Sequence, residues 1–485
     1  MQKSKVAVLT VTVLTAAASF GSYVIKDKNS GPYDLADVNL YGGSYPTSSI
    51  EFQQAAGPFV AKSDVTLPGL FCNWGTTTIG YDTTHPGVIK LSGNLGICNG
   101  TFKLNGCIID FQGSYGFDTG SWNEYRFRGG SMILDGCILT NMARAVLQNN
   151  GQAAASWTMR NNARIYCNGV FGLTANAVPA NNIKFSMSSG AQVVAGYFQT
   201  DGGYAYNYPH HLVLTGEGTK FSCTNTTAQS KIGNGYANAS VTVSDHGNLD
   251  FCKGTTYIGL EANSKNNRLT VTNNATATFN ALYAGCNGAG GSNTIEVLDG
   301  AVLTARTIYL NGGGASVRGN KLIVSNATVT TGSLYNLNNF GYDSTIRISG
   351  DRPQIVVTGE GNTQGNAIES CHGTTYLFDI PSGGYASGIV PIRVQGANGL
   401  YGDSSLRFRF TGIEDLQRTM TRSRISRVQI PLITVVGGIS VGSAVMDDAN
   451  AALPERCRLY NGSYNGNTAL MLEVKSFSGT IIVIH

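Results

Sequence analysis

The sequence predicts an all-β protein: a parallel β-helix, or β-solenoid, followed by a small C-terminal β-rich module. A short phrase of alternating apolar and polar residues recurs along the chain, and Gly, Asn or Asp occupies its corner. Glycine provides 62 of the 485 residues. Charged residues make up 13%, about half of the usual ~25%. Polarity therefore comes from turns, amides and hydroxyls, as expected for a chain with many short strands.

The repeated phrase is clearest in "IEVLDGAVLTA", which runs from Ile295 to Ala305. Its alternation has a period of two, which predicts strands on both sides of the Asp-Gly corner. A repeat every 24 to 30 residues is typical of a solenoid, because a propeller blade needs about 40 or more. Ten copies align on the second inward residue before the corner: Leu104, Leu134, Met159, Met187, Leu214, Val243, Val271, Val297, Val324 and Ile348.

Each coil is predicted to contain two or three short strands joined by glycine-rich corners. A further strand ending in Gly follows the phrase in "TTYIGL" (255–260) and "ALYAGC" (281–286). Gly tolerates positive φ at such corners, and Asn or Asp accepts it at small cost. Stacked coils would pair at about 4.8 Å and bury a continuous column of side chains.

The N-terminus predicts export. Lys3 and Lys5 precede an apolar run from Val6 to Ala18, which is the pattern of a secretory signal. The run is short for a membrane span, which needs about 20 residues, and no later segment would cross a membrane. The predicted organisation is a signal peptide over 1–22, an N-terminal cap over 23–58, a parallel β-helix over 59–377 and a C-terminal β-rich cap or module over 378–485.

The ten cysteines suggest disulfides, because their number is even and export is predicted. Cys107 and Cys137 both follow a corner, and Cys72 and Cys98 both precede Asn. Each pair is predicted to occupy equivalent places on adjacent coils, close enough for a disulfide. The alternative stays open that these cysteines fill interior columns as small apolar residues. No C-x-x-C occurs, and no metal or other cofactor is predicted.

The densest cluster of candidate binding residues lies in "IIDFQGSYGFDTGSWNEYRFRGG". Polysaccharide cleavage uses paired carboxylates, and aromatic rings can pack on sugars. The alternative is a solvated loop, and no catalytic residue is assigned. The candidates are Asp110, Asp118, Trp122, Glu124, Arg126 and Arg128.

The charge pattern does not predict a nucleic-acid partner. The net charge is +4, and no dense stripe of Lys and Arg runs along the chain. The exception is the arginine-rich stretch "RFRFTGIEDLQRTMTRSRISR". We interpret it as a solvated surface segment with one short helix, and a basic face for an anionic polymer is the alternative.

The stretches "NTIEVLDGAVLTARTIYLNGGGASVRGNKLIVSNATVTT" and "NNRLTVTNNATATFNALYAGCNGAGGSN" resemble the passenger repeats of autotransporter-type adhesins, over roughly residues 150–350. The resemblance implies a right-handed parallel β-helix of the pectin-lyase-like type. It also implies a secreted or cell-surface location, outer-membrane associated or extracellular. The C-terminal region does not match a membrane barrel. The Gly-His-Gly and Arg-Ile-Lys motifs of pectin-cleaving hydrolases are absent, so no site residue is carried over.

These observations favour an exported, non-enzymatic β-solenoid that is adhesin-like or a structural protein of the surface. Its expected partners are polysaccharides or glycans of a host or cell surface. One alternative is a polysaccharide-cleaving enzyme, a lyase or glycoside hydrolase, on the same scaffold. Another is a carbohydrate-binding protein without catalysis.

Overall fold

The computed structural model is a β-solenoid of about 11 turns, with 54% strand and 6% helix, which confirms the predicted fold class. Its strands lie on three faces, and neighbouring coils pair in parallel. The structure describes residues 22–84, 86–114, 116, 130–149, 155–176, 183–203, 210–235, 237–261, 263–286, 291–312, 318–336, 343–360, 365–371, 373–397 and 399–477.

The first face carries the strand that precedes the corner of each repeat. The second halves of two long strands, Leu70–Ile79 and Leu95–Asn105, lie on this face. Its other strands are Tyr33–Asp34, Phe59–Val60, Ser131–Asp135, Ala155–Arg160, Ile183–Met187, His210–Thr215, Ser240–Ser244, Arg268–Val271, Thr294–Leu298, Lys321–Ser325, Thr345–Ser349, Thr375–Asp379 and Arg407–Thr411.

The second face carries the strand that follows the corner. Its strands are Val65–Leu67, Val88–Leu91, Ile108–Asp110, Ile138–Met142, Arg164–Cys167, Gln192–Ala195, Lys220–Cys223, Gln354–Val357, Ile392–Val394 and Arg427–Val435. Four longer strands begin on this face and bend onto the third: Asn248–Ile258, Thr276–Ala284, Val302–Tyr309 and Thr328–Asn336.

The third face closes each coil. It includes the first halves of Leu70–Ile79 and Leu95–Asn105, whose second halves lie on the first face. It also includes the second halves of the four long strands that begin on the second face. Its other strands are Tyr23–Lys26, Ile50–Gln53, Ala145–Asn149, Val170–Asn176, Tyr197–Gly203, Ser230–Asn234, Ile368–Ser370, Leu400–Gly402 and Ile439–Val441.

The backbone register confirms the predicted repeat. Met187 pairs with Leu214, and Leu214 pairs with Val243, so the aligned residues form one buried file along the first face. All ten predicted members belong to this file. It continues to Ile79 on one side and to Phe378 on the other. The interior is therefore a continuous column of side chains, as stacking of incomplete units requires.

Parallel pairing also extends outside the 59–377 range predicted for the β-helix. Tyr23–Lys26 pairs with Ile50–Gln53, so part of the segment predicted as an N-terminal cap is itself stacked. At the other end, Leu400–Gly402 pairs in parallel with Ile439–Val441. The coil geometry therefore persists where the sequence phrase is no longer recognisable.

The corners explain the glycine, asparagine and aspartate content. Asp299 and Gly300 have φ values of 50° and 78°, and Asn273 and Asn274 have 52° and 59°. The left-handed region is disfavoured for most residues, and Gly, Asn and Asp occupy it most readily. The Gly300 N–H donates to the carbonyl of Asn326 on the next coil at 2.7 Å. The corners are thus paired to each other in the same way as the strands.

The C-terminal region ends the solenoid with helices and antiparallel strands. Arg427–Val435 pairs in parallel with the last coil and antiparallel with Asn467–Lys475, which also pairs with Cys457–Tyr464. Helix α2 (Ser443–Ala451) packs against Arg407–Thr411, where Asp448 accepts a hydrogen bond from Arg409 at 2.9 Å. The edge of the last first-face strand is thereby covered, which protects it from pairing with other chains.

The arginine-rich stretch contains the short helix that the sequence suggested. Helix α1 (Ile413–Arg422) buries Ile413, Leu416 and Met420, while Arg418 pairs with acids on the exposed side. A short 3₁₀ helix, Val38–Tyr41, lies in the first coil. The C-terminal stretch "GTIIVIH" (479–485), which the sequence predicts as a strand, lies entirely outside the described residues.

Candidate binding surface

The predicted loop site is represented in the structure by Asp110. One of its carboxylate oxygens accepts hydrogen bonds from the backbone of Gln112 and the side chain of Asn141, both at 2.9 Å. The first bond shapes the turn, and the second ties the residue to the next coil. Asp110 thus has a structural role at a corner. The other candidates, Asp118, Trp122, Glu124, Arg126 and Arg128, lie outside the described residues.

Cys107 and Cys137 occupy equivalent places on adjacent coils, as predicted. They directly precede Ile108 and Ile138, which are paired, and the Ile138 N–H donates to the Cys107 carbonyl at 2.9 Å. Both side chains are buried and are free thiols in this structure. Burial raises the pKa of the Cys107 thiol to about 12 and that of Cys137 well above its usual value. The disulfide between them stays a prediction, which peptide mapping without reductant would test.

Cys72 and Cys98 are not equivalent in the ladder. Cys72 lies opposite Ile97, whereas Cys98 lies opposite Asn73. The equivalence predicted from their spacing is therefore wrong by one residue, because this coil is one residue shorter than that spacing. In a strand, a shift of one residue exchanges the two faces. Cys72 itself is buried, with its sulfur 3.5 Å from the Thr101 carbonyl.

A file of buried asparagines, which the sequence analysis did not identify, lines one interior corner. Asn267, Asn293 and Asn320 are all fully buried. The Asn267 N–H donates to Asn293 Oδ1 at 3.0 Å, and the Asn293 N–H donates to Asn320 Oδ1 at 2.9 Å. The signal was an Asn just before three successive first-face strands. These bonds join coils from inside, so the file serves stability.

The paired histidines are also accounted for within the fold. His210 is buried, and burial lowers its pKa to about 4. His211 Nδ1 lies 2.7 Å from the Ser240 hydroxyl on the next coil. Across the part of the chain that the structure describes, no three His, Cys, Asp or Glu side chains are grouped to hold a metal ion.

The most regular outward feature is a tyrosine file on the third face, formed by Tyr257, Tyr283, Tyr309 and Tyr335. Successive ring centroids are 5.0, 4.3 and 5.3 Å apart. The first three rings are half-buried and the last is buried. Burial raises the pKa of Tyr257 and Tyr283, so their hydroxyls stay protonated at neutral pH. Tyr257 and Tyr283 therefore offer neutral hydroxyl groups that can donate and accept hydrogen bonds.

Charged and aromatic residues extend the tyrosine file at both ends. Lys231 lies opposite Tyr257, Glu369 lies opposite Tyr335, and Tyr401 follows Glu369. Tyr401 is 38% exposed, and burial raises the pKa of Glu369. Because the tyrosine rings stack on each other, they present edges and hydroxyls rather than free ring faces. The spacing of these groups is that of the coils, about 4.8 Å.

Fold and surface together define a parallel β-solenoid with an ordered aromatic and polar file on one side. No protein-family model matches this chain, and no curated protein or solved structure matches it either. Within the described ranges, no helix is long and apolar enough to span a membrane.

Proposed function

We propose that this protein is an exported, non-enzymatic β-solenoid that acts as an adhesin-like or structural protein at the cell surface. We further propose that it binds polysaccharide chains along the third face. The observation that carries the proposal is the tyrosine file, in which three half-buried rings repeat at coil spacing and pack against the buried Tyr335. An extended polymer of repeating units is the ligand that suits a periodic row of hydroxyls.

The rigidity of the scaffold supports binding by this file. Tyr257 lies between Thr256 and Ile258, which are both buried, so the strand is anchored from inside. Tyrosine has few rotatable bonds, and stacking reduces their freedom further. The protein therefore loses little side-chain conformational entropy when a ligand binds. Repeated weak contacts along one polymer also act together, since each bound unit raises the local concentration of the next.

The test is binding of the purified protein to a panel of neutral and acidic polysaccharides. We expect the double variant Tyr283→Thr/Tyr309→Thr to bind its polysaccharide about tenfold more weakly, equivalent to about 1.4 kcal/mol. Thr keeps the strand preference. The matched control is Tyr166→Thr, a 36%-exposed tyrosine on the second face. Equal binding by the double variant and the parent protein would remove the tyrosine file from the proposal.

Export and the lack of catalysis need separate measurements. The full chain should appear outside the cytoplasm, and a variant that lacks residues 1–22 should stay inside the cytoplasm. Incubation with the bound polysaccharide should release no new reducing ends and no unsaturated products. Retention of the full chain in the cytoplasm would contradict export, and product release would favour the polysaccharide-cleaving alternative.

A further inference from the structure

An exposed tryptophan lies near the N-terminal end of the solenoid, where the strand Leu70–Ile79 bends from the third face to the first. Trp74 is 57% exposed, and its φ is 65°. On the preceding coil, Gln54 has a φ of 51°, and its N–H donates to the Trp74 carbonyl at 3.2 Å. Glycine occupies such a conformation at the lowest cost. A large aromatic side chain is therefore held in solvent at a position where the backbone favours none.

A polar cluster lies on the same two coils as Trp74: Asn73 directly precedes Trp74 in the chain, and Gln53 lies opposite Asn73. Glu51 Oε1 accepts hydrogen bonds from the side-chain amides of Gln53 at 2.6 Å and Asn73 at 2.5 Å. Glu51 is only 9% exposed, and no Lys or Arg of the described chain forms an ion pair with it. Asn73 Oδ1 is buried without a hydrogen-bond donor among the described groups. The cluster thus has acceptor capacity that the surrounding protein does not use.

We propose that Trp74 and the Glu51, Gln53 and Asn73 cluster form a binding site for a neutral pyranose unit of a polysaccharide. This inference rests on the proposed function and adds a second contact point, separate from the tyrosine file. The indole ring packs against the C–H face of the sugar. Sugar hydroxyls donate to the Glu51 carboxylate, which the side-chain amides of Gln53 and Asn73 hold in place.

The charge of the site determines which sugars it accepts. A carboxylate accepts up to about four hydrogen bonds, and hydroxyl donors from a neutral sugar match this need. A uronate or sulfate group would meet the negative charge of Glu51, which no ion pair offsets, although Lys26 lies opposite Gln53 on the neighbouring coil. The site is therefore expected to discriminate against acidic polysaccharides, whereas the tyrosine file is not.

The experiment is a calorimetric titration of the full protein with neutral hexasaccharides of glucose, mannose and N-acetylglucosamine, and with hexagalacturonate. Trp74→Gly is expected to weaken binding of the neutral ligand more than tenfold. Its melting temperature should equal or exceed that of the parent protein, since Gly suits the local φ. Glu51→Gln should weaken neutral binding and improve the relative affinity for hexagalacturonate. Tyr81→Ala removes a 40%-exposed tyrosine that follows the far end of the same strand, and this variant should bind like the parent protein.

Several outcomes would overturn the site. A clearly lower melting temperature of Trp74→Gly would assign the tryptophan a structural role. Unchanged neutral binding by Trp74→Gly, with loss in Tyr283→Thr/Tyr309→Thr, would place all binding on the tyrosine file and leave the proposed function standing. If the parent protein bound hexagalacturonate and none of the neutral hexasaccharides, the Trp74 site would likewise be refuted while the proposed function would stand. If the parent protein bound neither these ligands nor the polysaccharide panel, the proposed glycan-binding function would fail as well.

Discussion

The buried asparagine file offers the most direct test of how the coils are held together. The change is Asn293→Ala, at the centre of the file. Asn293 Oδ1 accepts from the backbone N–H of Asn267 at 3.0 Å and from its side-chain amide at 3.1 Å. Both residues are fully buried. The substitution therefore removes an acceptor from a place that water does not reach.

The size of the effect follows from these contacts. A buried donor that loses its partner costs about 1–3 kcal/mol, and a shared hydrogen bond contributes about 1 kcal/mol. Asn293 Nδ2 has no acceptor among the described groups, so removing it returns about 1 kcal/mol. The balance is a loss of about 1–3 kcal/mol. The Asn293 N–H keeps its bond to Asn320 Oδ1, so the damage is confined to one coil junction.

Urea denaturation and hydrogen exchange measure this effect together. The variant should unfold at lower urea than the parent protein. Because each coil contacts only its neighbours, exchange should accelerate most at Asn267 and in the coils beside it. The control is Lys321→Ala, an exposed residue that follows Asn320, for which we expect a change within about 0.5 kcal/mol.

Unfolding of Asn293→Ala at the same urea concentration as Lys321→Ala, with the Asn267 amide still protected, would refute this role of the asparagine file. Such a result would mean that the polar file contributes no net free energy. The coils would then be held by apolar burial and the strand ladders alone.

Three further predictions concern the interior, the corners and pH. Leu303→Asp buries an unpaired charge and should lower the melting temperature strongly, unlike Thr304→Asp on the exposed side of the same strand. Gly259→Ala should lower the free energy of unfolding by about 1–2 kcal/mol, because the Gly259 φ of 77° is disfavoured for Ala. The loss should be larger still, because the added Cβ would lie 2.4 Å from the buried side-chain amide of Asn293. The control is Gly438→Ala, whose added Cβ would meet no atom within 4 Å. His210 has a pKa of about 4 in the fold against 6.5 ordinarily, so the unfolded state takes up its proton first and stability falls as pH drops from 6.5 to 4, by about 3 kcal/mol. His210→Leu should lose less stability than the parent protein in urea titrations across that range, and an identical pH profile would contradict the assignment.

The sequence predicted what depends on alternation. The buried file from Leu104 to Ile348 was predicted residue by residue, because side chains of period two face the same side in every coil. The pair Cys72 and Cys98 failed for the same physical reason. With a period of two, a register error of one residue moves a side chain from one face of the strand to the other. Because coil lengths vary by several residues, the spacing of Cys72 and Cys98 alone could not determine their register.

The outward surface was harder to predict, because its organisation depends on how corners place successive strands. The tyrosines of the file are 26 residues apart, yet only the register shows that their rings stack. Trp74 gave no signal, since its positive φ belongs to a corner where Gly or Asn would be expected. The candidate loop around Asp110 was chosen for its density of charged and aromatic residues. That criterion does not recognise an Asp with one carboxylate oxygen already bonded to its own turn and to the next coil.

The alternation that obscures the surface also separates stability from binding. Inward residues such as Ile308 are fully buried, whereas the adjacent Tyr309 faces outward and contacts its counterparts on neighbouring coils. Exchanging an outward residue leaves the interior column intact, so its cost stays near that of a surface substitution. The binding properties of each face can therefore change coil by coil while the fold is kept. This freedom explains how one rod can carry a stacked tyrosine file and, several coils away on the same face, an acidic site beside an exposed tryptophan.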